Sequence, residues 1–169
     1  MTKAICLFAI VFGAMLIENR RSRRNEDALR ASGAIEPRDD VYRIMQIAYP
    51  ASFAAMILEG WLRPAESVAA SISGAVVFVA GKALKYWAIA ALGHFWSFRV
   101  LVVRGARLVT GGPYRWLRHP NYVGVAAEIG GVALLAGAPV TGTIAFVLFS
   151  AVLLARIRVE ERALDLSHR

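Results

Sequence analysis

The chain has 169 residues, of which 57% are hydrophobic, and it carries a formal net charge of +8. Soluble domains are about half apolar, so this composition excludes an ordinary soluble fold and predicts an all-α integral membrane protein. The arginines lie in the gaps between apolar runs, where topology determinants lie, and no basic and aromatic module is visible. We therefore expect no nucleic-acid partner, and we treat residues 1–169 as a single domain.

The first apolar run covers residues 4–17 and ends at an arginine-rich stretch that begins at Glu18. A membrane helix needs about 20 residues, so a signal peptide is an alternative for so short a run. No cleavage pattern of small residues precedes the arginines, which favours a retained first helix. Residues 18–43 are polar and basic, with Gly33 and Pro37 as breakers, and predict a loop outside the bilayer, in which Ala28-Leu29-Arg30-Ala31 could form a surface helix.

Two further apolar stretches, residues 44–62 and 68–92, predict the second and third membrane helices. Lys82 and Lys85 lie three residues apart in the third helix and therefore on one face. They either extend to the membrane interface, which we favour, or face the bundle interior and pair with Glu128. Cys6 is the single cysteine and lies in an apolar run, so we expect neither a disulfide nor a bound metal.

The last two apolar segments, residues 123–138 and 140–155, predict a helical hairpin around Pro139. Small residues on its first helix allow close helix contact; they are Gly124, Ala127, Gly130 and Gly131. A charged continuation of the final helix begins at Arg156. The prediction is therefore about five transmembrane helices.

The distribution of positive charge predicts the orientation of these helices. Sixteen of the 20 lysines and arginines fall in residues 18–43, residues 93–120 and the tail after residue 155. The positive-inside rule then places the amino terminus outside and the carboxyl terminus in the cytoplasm.

The stretch from Leu108 to Glu128 begins with a dense polar cluster, residues 108–122, immediately before the hairpin. It contains arginines, a histidine, an asparagine and two tyrosines beside the Gly111-Gly112 turn. Desolvating such groups at the mouth of an apolar segment costs free energy, which indicates a functional site. Pro120 near the first turn of a helix leaves backbone N–H groups available to an anion. Arg156 and Glu160 share a helical face, and we place this site at the cytoplasmic end of the bundle.

Three elements together resemble the isoprenylcysteine carboxyl methyltransferase family. They are Gly112-Pro113-Tyr114, then Arg118-His119-Pro120-Asn121-Tyr122, and, after the hairpin, Arg156 with Glu160-Glu161. The likeness covers about residues 93–164 and is closest to short bacterial members, some of which are linked to O-methylation of alkylpyrone-like lipids. It implies an S-adenosylmethionine-dependent methyltransferase whose lipophilic acceptor enters from the bilayer.

The resemblance also implies residue roles. The positions expected to line S-adenosylmethionine are Arg107, Leu108, Val109, Tyr114, His119, Pro120, Asn121, Tyr122 and Glu160. At Arg107 the residue type differs from that of other members. The expected catalytic residues are Arg156, which matches the arginine that orients the acceptor, and Arg118.

Other interpretations remain open for several of these residues. His119 could cap a helix, and Arg115 or Arg118 could bind lipid headgroups. For Glu128, a structural pair with Lys85 or Arg118 is favoured over catalysis. Membrane sterol reductases that use NADPH share the Arg-His-Pro-x-Tyr element, so such a reductase is the alternative enzyme class, and a non-catalytic protein with the same fold is the third.

Overall fold

The computed structural model describes residues 2–63 and 67–167, the last three of them by backbone alone. It has five α-helices: α1 Thr2–Ala31, α2 Tyr42–Leu62, α3 Val68–Leu92, α4 Pro120–Ala136 and α5 Pro139–Ser167. Two short 3₁₀ helices, Gly93–Phe95 and Gly112–Arg115, lie between α3 and α4. Within the described ranges, β-structure is limited to an isolated bridge between Ile35 and Val102.

Three segments are long and apolar enough to cross a membrane, namely Thr2–Ala31, Val68–Phe95 and Pro139–Leu164. The apolar helix α4 is shorter. The all-helical membrane fold agrees with the sequence, whereas five complete membrane crossings stay a prediction. The two-residue link between α4 and α5 makes them the expected hairpin.

The first helix is longer than its apolar run. We expected a loop from residue 18, but α1 continues to Ala31 and leaves residues 32–41 as the link to α2. Glu18, Ser22 and Leu29 are buried in this extension. Their spacing places them on one helical face, so the polar half of α1 packs against the bundle. The expectation of a loop was wrong over residues 18–27, because the charged residues were taken as the end of the helix, and the helix allowed at residues 28–31 is the last part of α1.

The α3–α4 pair forms the most extensive contact among the described helices, and glycines make it possible. A Cβ on Gly131 would lie 2.5 Å from the backbone nitrogen of Phe78, and one on Gly74 would lie 2.4 Å from that of Leu135. Gly81 and Gly124 make the same kind of approach one heptad away. Of the small residues expected at this interface, Gly130 is the exception, because its nearest neighbour is the Phe146 ring on α5.

Polar contacts fix the direction and ends of the helices. The ammonium of Lys3 on α1 donates to Ser71 Oγ at the start of α3, and the Asn25 amide donates to the carbonyls of Gly93 and Trp96 beyond its end. Helices α1 and α3 are therefore parallel. Helices α2 and α5 are antiparallel. Glu59, near the end of α2, accepts hydrogen bonds from the backbone nitrogen and hydroxyl of Thr141 at the start of α5.

Four charged side chains pair in the interior of the bundle. Lys82 Nζ lies 2.8 Å from Glu18 and 3.0 Å from Glu128, and Lys85 Nζ lies 2.7 Å and 3.4 Å from the same two carboxylates. The Tyr49 hydroxyl donates to Glu128 at 2.6 Å. The lysines therefore face inward, which overturns the favoured interpretation that they extend to the interface. Glu128 pairs with Lys85 as expected, and with Lys82 in place of Arg118.

We expect Gly131→Ala to destabilise the protein because its new methyl group would overlap the backbone of α3, which cannot rotate away as a side chain can. Overpacking of this kind costs about 1–3 kcal/mol. Thermal unfolding in a mild detergent measures the change. Gly13→Ala is the matched control, since a Cβ at that position would have nothing within 4 Å and alanine favours a helix interior. Equal melting temperatures for Gly131→Ala and the wild type would contradict the tight α3–α4 contact.

Candidate active site

The irregular segment between α3 and α4 covers one end of the bundle. Gly112, with φ 58°, begins the second 3₁₀ helix and lies against α3, where a Cβ would be 3.0 Å from Ala91 and 3.3 Å from the Trp87 indole nitrogen. The rings of Trp87 and Trp116 are 5.7 Å apart. A larger residue at position 112 would push this turn off α3, so Gly112 is the glycine that lets the turn place Tyr114 at the bundle end, whereas a Cβ on Gly111 would have nothing within 4 Å.

The two polar stretches on either side of the hairpin meet at this end. The hydroxyl of Tyr122 donates to Glu160, and His119 Nε2 lies 3.1 Å from Glu161 Oε1. The rings of His119 and Tyr122 stack at 5.7 Å. Although His119 occupies the N-cap position of α4, its side chain makes no capping hydrogen bond. Its ring is used for the contact with α5, not for the cap.

Tyr114 belongs to the same cluster. Burial raises the pKa of its phenol, and the nearby charge of Glu160 raises this pKa further. The phenol therefore stays protonated at any physiological pH and can act as a hydrogen-bond donor. The structure thus brings Tyr114, His119, Tyr122 and Glu160 together at one place, with Pro120 buried beneath them.

Other predicted site residues lie at the edge of this cluster or outside it. Arg107 and Leu108 are exposed and Val109 is half-buried, all in the irregular segment before the double glycine. No hydrogen bond or ion pair between described side chains joins Arg107 to the cluster. The Arg118 side chain is 90% exposed and reaches Glu161 only at 3.9 Å. Its exposure leaves it free to contact a ligand or a lipid headgroup.

A cavity of about 530 Å³ adjoins the cluster. Its walls are mostly apolar and come from α1, α2, α4 and α5; they include Phe12, Leu16, Ile47, Val125 and Phe149. Asn121, Tyr122 and Arg156 also line it. The Asn121 Oδ1 atom is buried and accepts no hydrogen bond from any described group. A volume of this size and a few polar groups in an apolar wall are typical of a small-molecule site.

Arg156 is buried where the cavity meets the cluster. Its guanidinium pairs with Asp40, donates to the Phe98 carbonyl at 2.6 Å, and donates through Nε to the Tyr122 hydroxyl at 3.3 Å. Asp40 also accepts a hydrogen bond from the backbone nitrogen of Val100 at 3.0 Å. The positive charge that the sequence placed at the site is therefore present, but a carboxylate of the α1–α2 link compensates it.

Asp40 is a site residue that the sequence analysis missed. The available signal was the acidic pair Asp39-Asp40 within a strongly basic stretch. The link that carries it is held on the segment after α3 by the Ile35–Val102 bridge and by the ion pair between Arg99 and Glu36 at 2.6 Å. Burial alone would raise the pKa of Glu36, but the hydrogen bonds from Arg30 and Arg99 outweigh it and lower this pKa, so the pair persists at neutral pH.

The fold and the site define a helical membrane protein with a small-molecule pocket at one end of its bundle. The chain belongs to the isoprenylcysteine carboxyl methyltransferase (ICMT) family, a family of membrane methyltransferases, whose sequence model matches residues 74–166. This range includes the Tyr114 turn, the hairpin and the Glu160-Glu161 pair, so the family match covers the cluster described above.

Two bacterial relatives match nearly the whole chain. An uncharacterized Bacillus subtilis protein, YpbQ, is 36% identical over 160 residues, which cover 94% of this chain and 95% of that protein. An uncharacterized Haemophilus influenzae protein is 26% identical over 161 residues, covering 95% of this chain and 91% of that one. No solved structure matches the chain.

We expect Asp40→Ala to destabilise the protein strongly, because it leaves the buried Arg156 guanidinium without a counter-charge. Breaking a buried ion pair from one side costs about 3–5 kcal/mol. The matched control is Asp39→Ala, whose ion pair with Arg162 has both side chains more than half exposed and should contribute about 1 kcal/mol at most. Thermal unfolding of both variants tests the difference. Equal melting temperatures for the two variants would show that Asp40 does not compensate the charge of Arg156.

Proposed function

We propose that this protein transfers a methyl group from S-adenosylmethionine to a carboxylate or acidic hydroxyl oxygen of a lipophilic substrate. The observation that carries the proposal is the meeting of two polar stretches across the hairpin, His119 with Glu161 and Tyr122 with Glu160, beside an apolar cavity. Family membership supports methyl transfer as the reaction. The acceptor is proposed to be isoprenylcysteine-like or alkylpyrone-like.

The residues of the cluster fit the polar groups of the proposed cofactor. Carboxylates at positions 160 and 161 complement an amine or ribose hydroxyls, and the exposed Arg118 complements a carboxylate. The unpaired Oδ1 of Asn121 is an acceptor for a further N–H or O–H group. Tyr114 and the stacked His119–Tyr122 pair offer ring faces and edges to an aromatic base. When bound, S-adenosylmethionine supplies a methyl group on a positively charged sulfur for in-line attack by the acceptor oxygen.

Positioning and exclusion of water are what this chain's residues contribute to such a reaction. An ionised acceptor oxygen needs no general base, so the barrier falls mainly through orientation and desolvation. Arg156 holds the Tyr122 hydroxyl at the boundary between cluster and cavity, where both groups can orient the acceptor. The apolar walls keep water from the oxygen and admit an apolar chain.

The proposed location follows from the charge distribution. The site end of the bundle carries the arginine-rich half of α1, the segment before α4 and the charged end of α5, so the positive-inside rule places it in the cytoplasm. The amino terminus is then outside. This orientation gives the site access to cytoplasmic S-adenosylmethionine, while the substrate enters from the bilayer.

The first test distinguishes the methyltransferase from a reductase. We expect S-adenosylmethionine to raise the melting temperature of the detergent-purified protein and NADPH to leave it unchanged, since a ligand that binds the folded state stabilises it by about 2.7 kcal/mol at a hundred times its dissociation constant. Protection by NADPH alone would support the sterol-reductase alternative. Protection by neither would support a non-catalytic protein.

The same measurement of melting temperature tests the residues assigned to the cofactor site. Glu160→Gln and His119→Ala should each lose most of the protection by S-adenosylmethionine, because they remove a charge and a ring from the proposed cofactor site. Arg158→Gln is the control, as this side chain is exposed on the same helix α5. Isothermal calorimetry that gave the wild-type affinity for both cluster variants would contradict the assignment of the cofactor to this cluster.

A further inference from the structure

The cavity beside the cluster opens towards the lipid-facing surface between α1 and α2. Leu16 on α1 and Ile47 on α2 line it, and their side chains are 63% and 68% exposed. Farther along the same face of α1, the cavity is lined by Asn19 and Arg23. The wall therefore changes along α1 from apolar to charged, as the wall of a site for an amphiphile would.

The cationic side chains that line this cavity differ in their partners. The Arg156 charge is compensated by Asp40, and Lys85 pairs with Glu18 and Glu128. Arg23, by contrast, has no hydrogen-bond or ion-pair partner among the described side chains. It is therefore the cation on the cavity wall whose charge is available to a ligand.

Arg23 lies at the same end of the cavity as the candidate active site. The backbone nitrogen of Phe98 donates to Ser22, the residue before Arg23, and the Phe98 carbonyl accepts a hydrogen bond from Arg156. Phe98 and both arginines line the cavity. An anion that contacts Arg23 there is consequently near the boundary between cavity and cluster. Arg23 is exposed on the cavity wall, so its guanidinium is accessible to an anion and can form a charge-assisted hydrogen bond with it.

We infer that the cavity binds a single-chain lipophilic acid, whose apolar chain lies between α1 and α2 and whose anionic group pairs with Arg23. This inference rests on the proposed function in one respect, that the anionic oxygen is the methyl acceptor. Its attack then forms a C–O bond as the C–S bond of the donor breaks, and the electron pair of that bond stays on sulfur. The neutral ester no longer pairs with Arg23 and can return to the bilayer, so Arg23 determines specificity for substrate over product.

The experiment compares palmitate with methyl palmitate, which have the same acid-derived chain but differ in charge. Each is added at equal mole fraction to protein in a non-ionic detergent, without methyl donor and at an alkaline pH where the acid is ionised. We expect palmitate to raise the wild-type melting temperature more than its ester does. Arg23→Gln should abolish this preference and lower the apparent affinity for palmitate about tenfold. Arg23→Lys, which keeps the positive charge, should retain part of the preference.

Arg24→Gln is the matched control, because Arg24 is also exposed on α1 but lines a separate cleft with Arg20 and Arg21. It should keep the preference for the acid. An unchanged preference in Arg23→Gln would overturn the inference, and so would an equal loss in Arg24→Gln, which would identify the effect as general attraction of surface arginines for anions or lipid headgroups.

Protection by S-adenosylmethionine is measured in parallel on each variant. If the acid preference depended on Arg23 but S-adenosylmethionine protected no form of the protein, the acid site would stand and the methyltransferase proposal would fall. The reverse pattern would leave the cofactor site intact and refute the role of Arg23.

Discussion

Charge inside a membrane bundle must be compensated, and the pairing of Glu18 with Lys82 and Lys85, completed by Glu128, meets this constraint across three helices. Burying ions costs desolvation free energy, so such a group is better explained as a device that fixes register than as a source of stability. A rotation of α1 by one residue would leave the carboxylate of Glu18 unpaired. The pairing thereby determines which face of α1, including Arg23, lines the cavity.

Helix α4 connects this pairing to the site. Its glycines hold it against α3 at backbone contact, its middle carries Glu128, and its first turn carries Asn121 and Tyr122. Because α3 and α4 are packed at backbone distance, a small shift of α4 is sterically blocked. The Tyr122 hydroxyl is therefore delivered to Glu160 and Arg156 on α5 by a rigid element, which suits a reaction that depends on orientation.

The sequence was sufficient for the features that residue type and spacing encode. The glycines of α4 and the hairpin follow from local patterns, whereas the joining of Tyr114, His119 and Tyr122 with Glu160 was predicted from the family resemblance. The length of α1 could not be predicted from such a pattern, because arginines after an apolar run end a membrane span without ending a helix. Lys82 and Lys85 face inward because they pair with Glu18, and the sequence analysis had assigned Glu18 to a loop outside the bundle. The acidic pair Asp39-Asp40 was visible in the sequence, but the pairing of Asp40 with Arg156 could not be predicted, since Arg156 lies 116 positions later.

The two arginines that line the cavity, Arg23 and Arg156, differ in their roles because Asp40 compensates the charge of Arg156. A guanidinium that pairs with Asp40 and a backbone carbonyl adds little net charge, but its planar geometry fixes Tyr122 and ties the α1–α2 link to α5. Under the proposal that the substrate is anionic, its charge is attracted by Arg23, the cation of the cavity wall that has no partner among the described side chains. In that proposal Arg156 has a structural role and Arg23 binds the anion, and both act at the end of the cavity that adjoins the cluster.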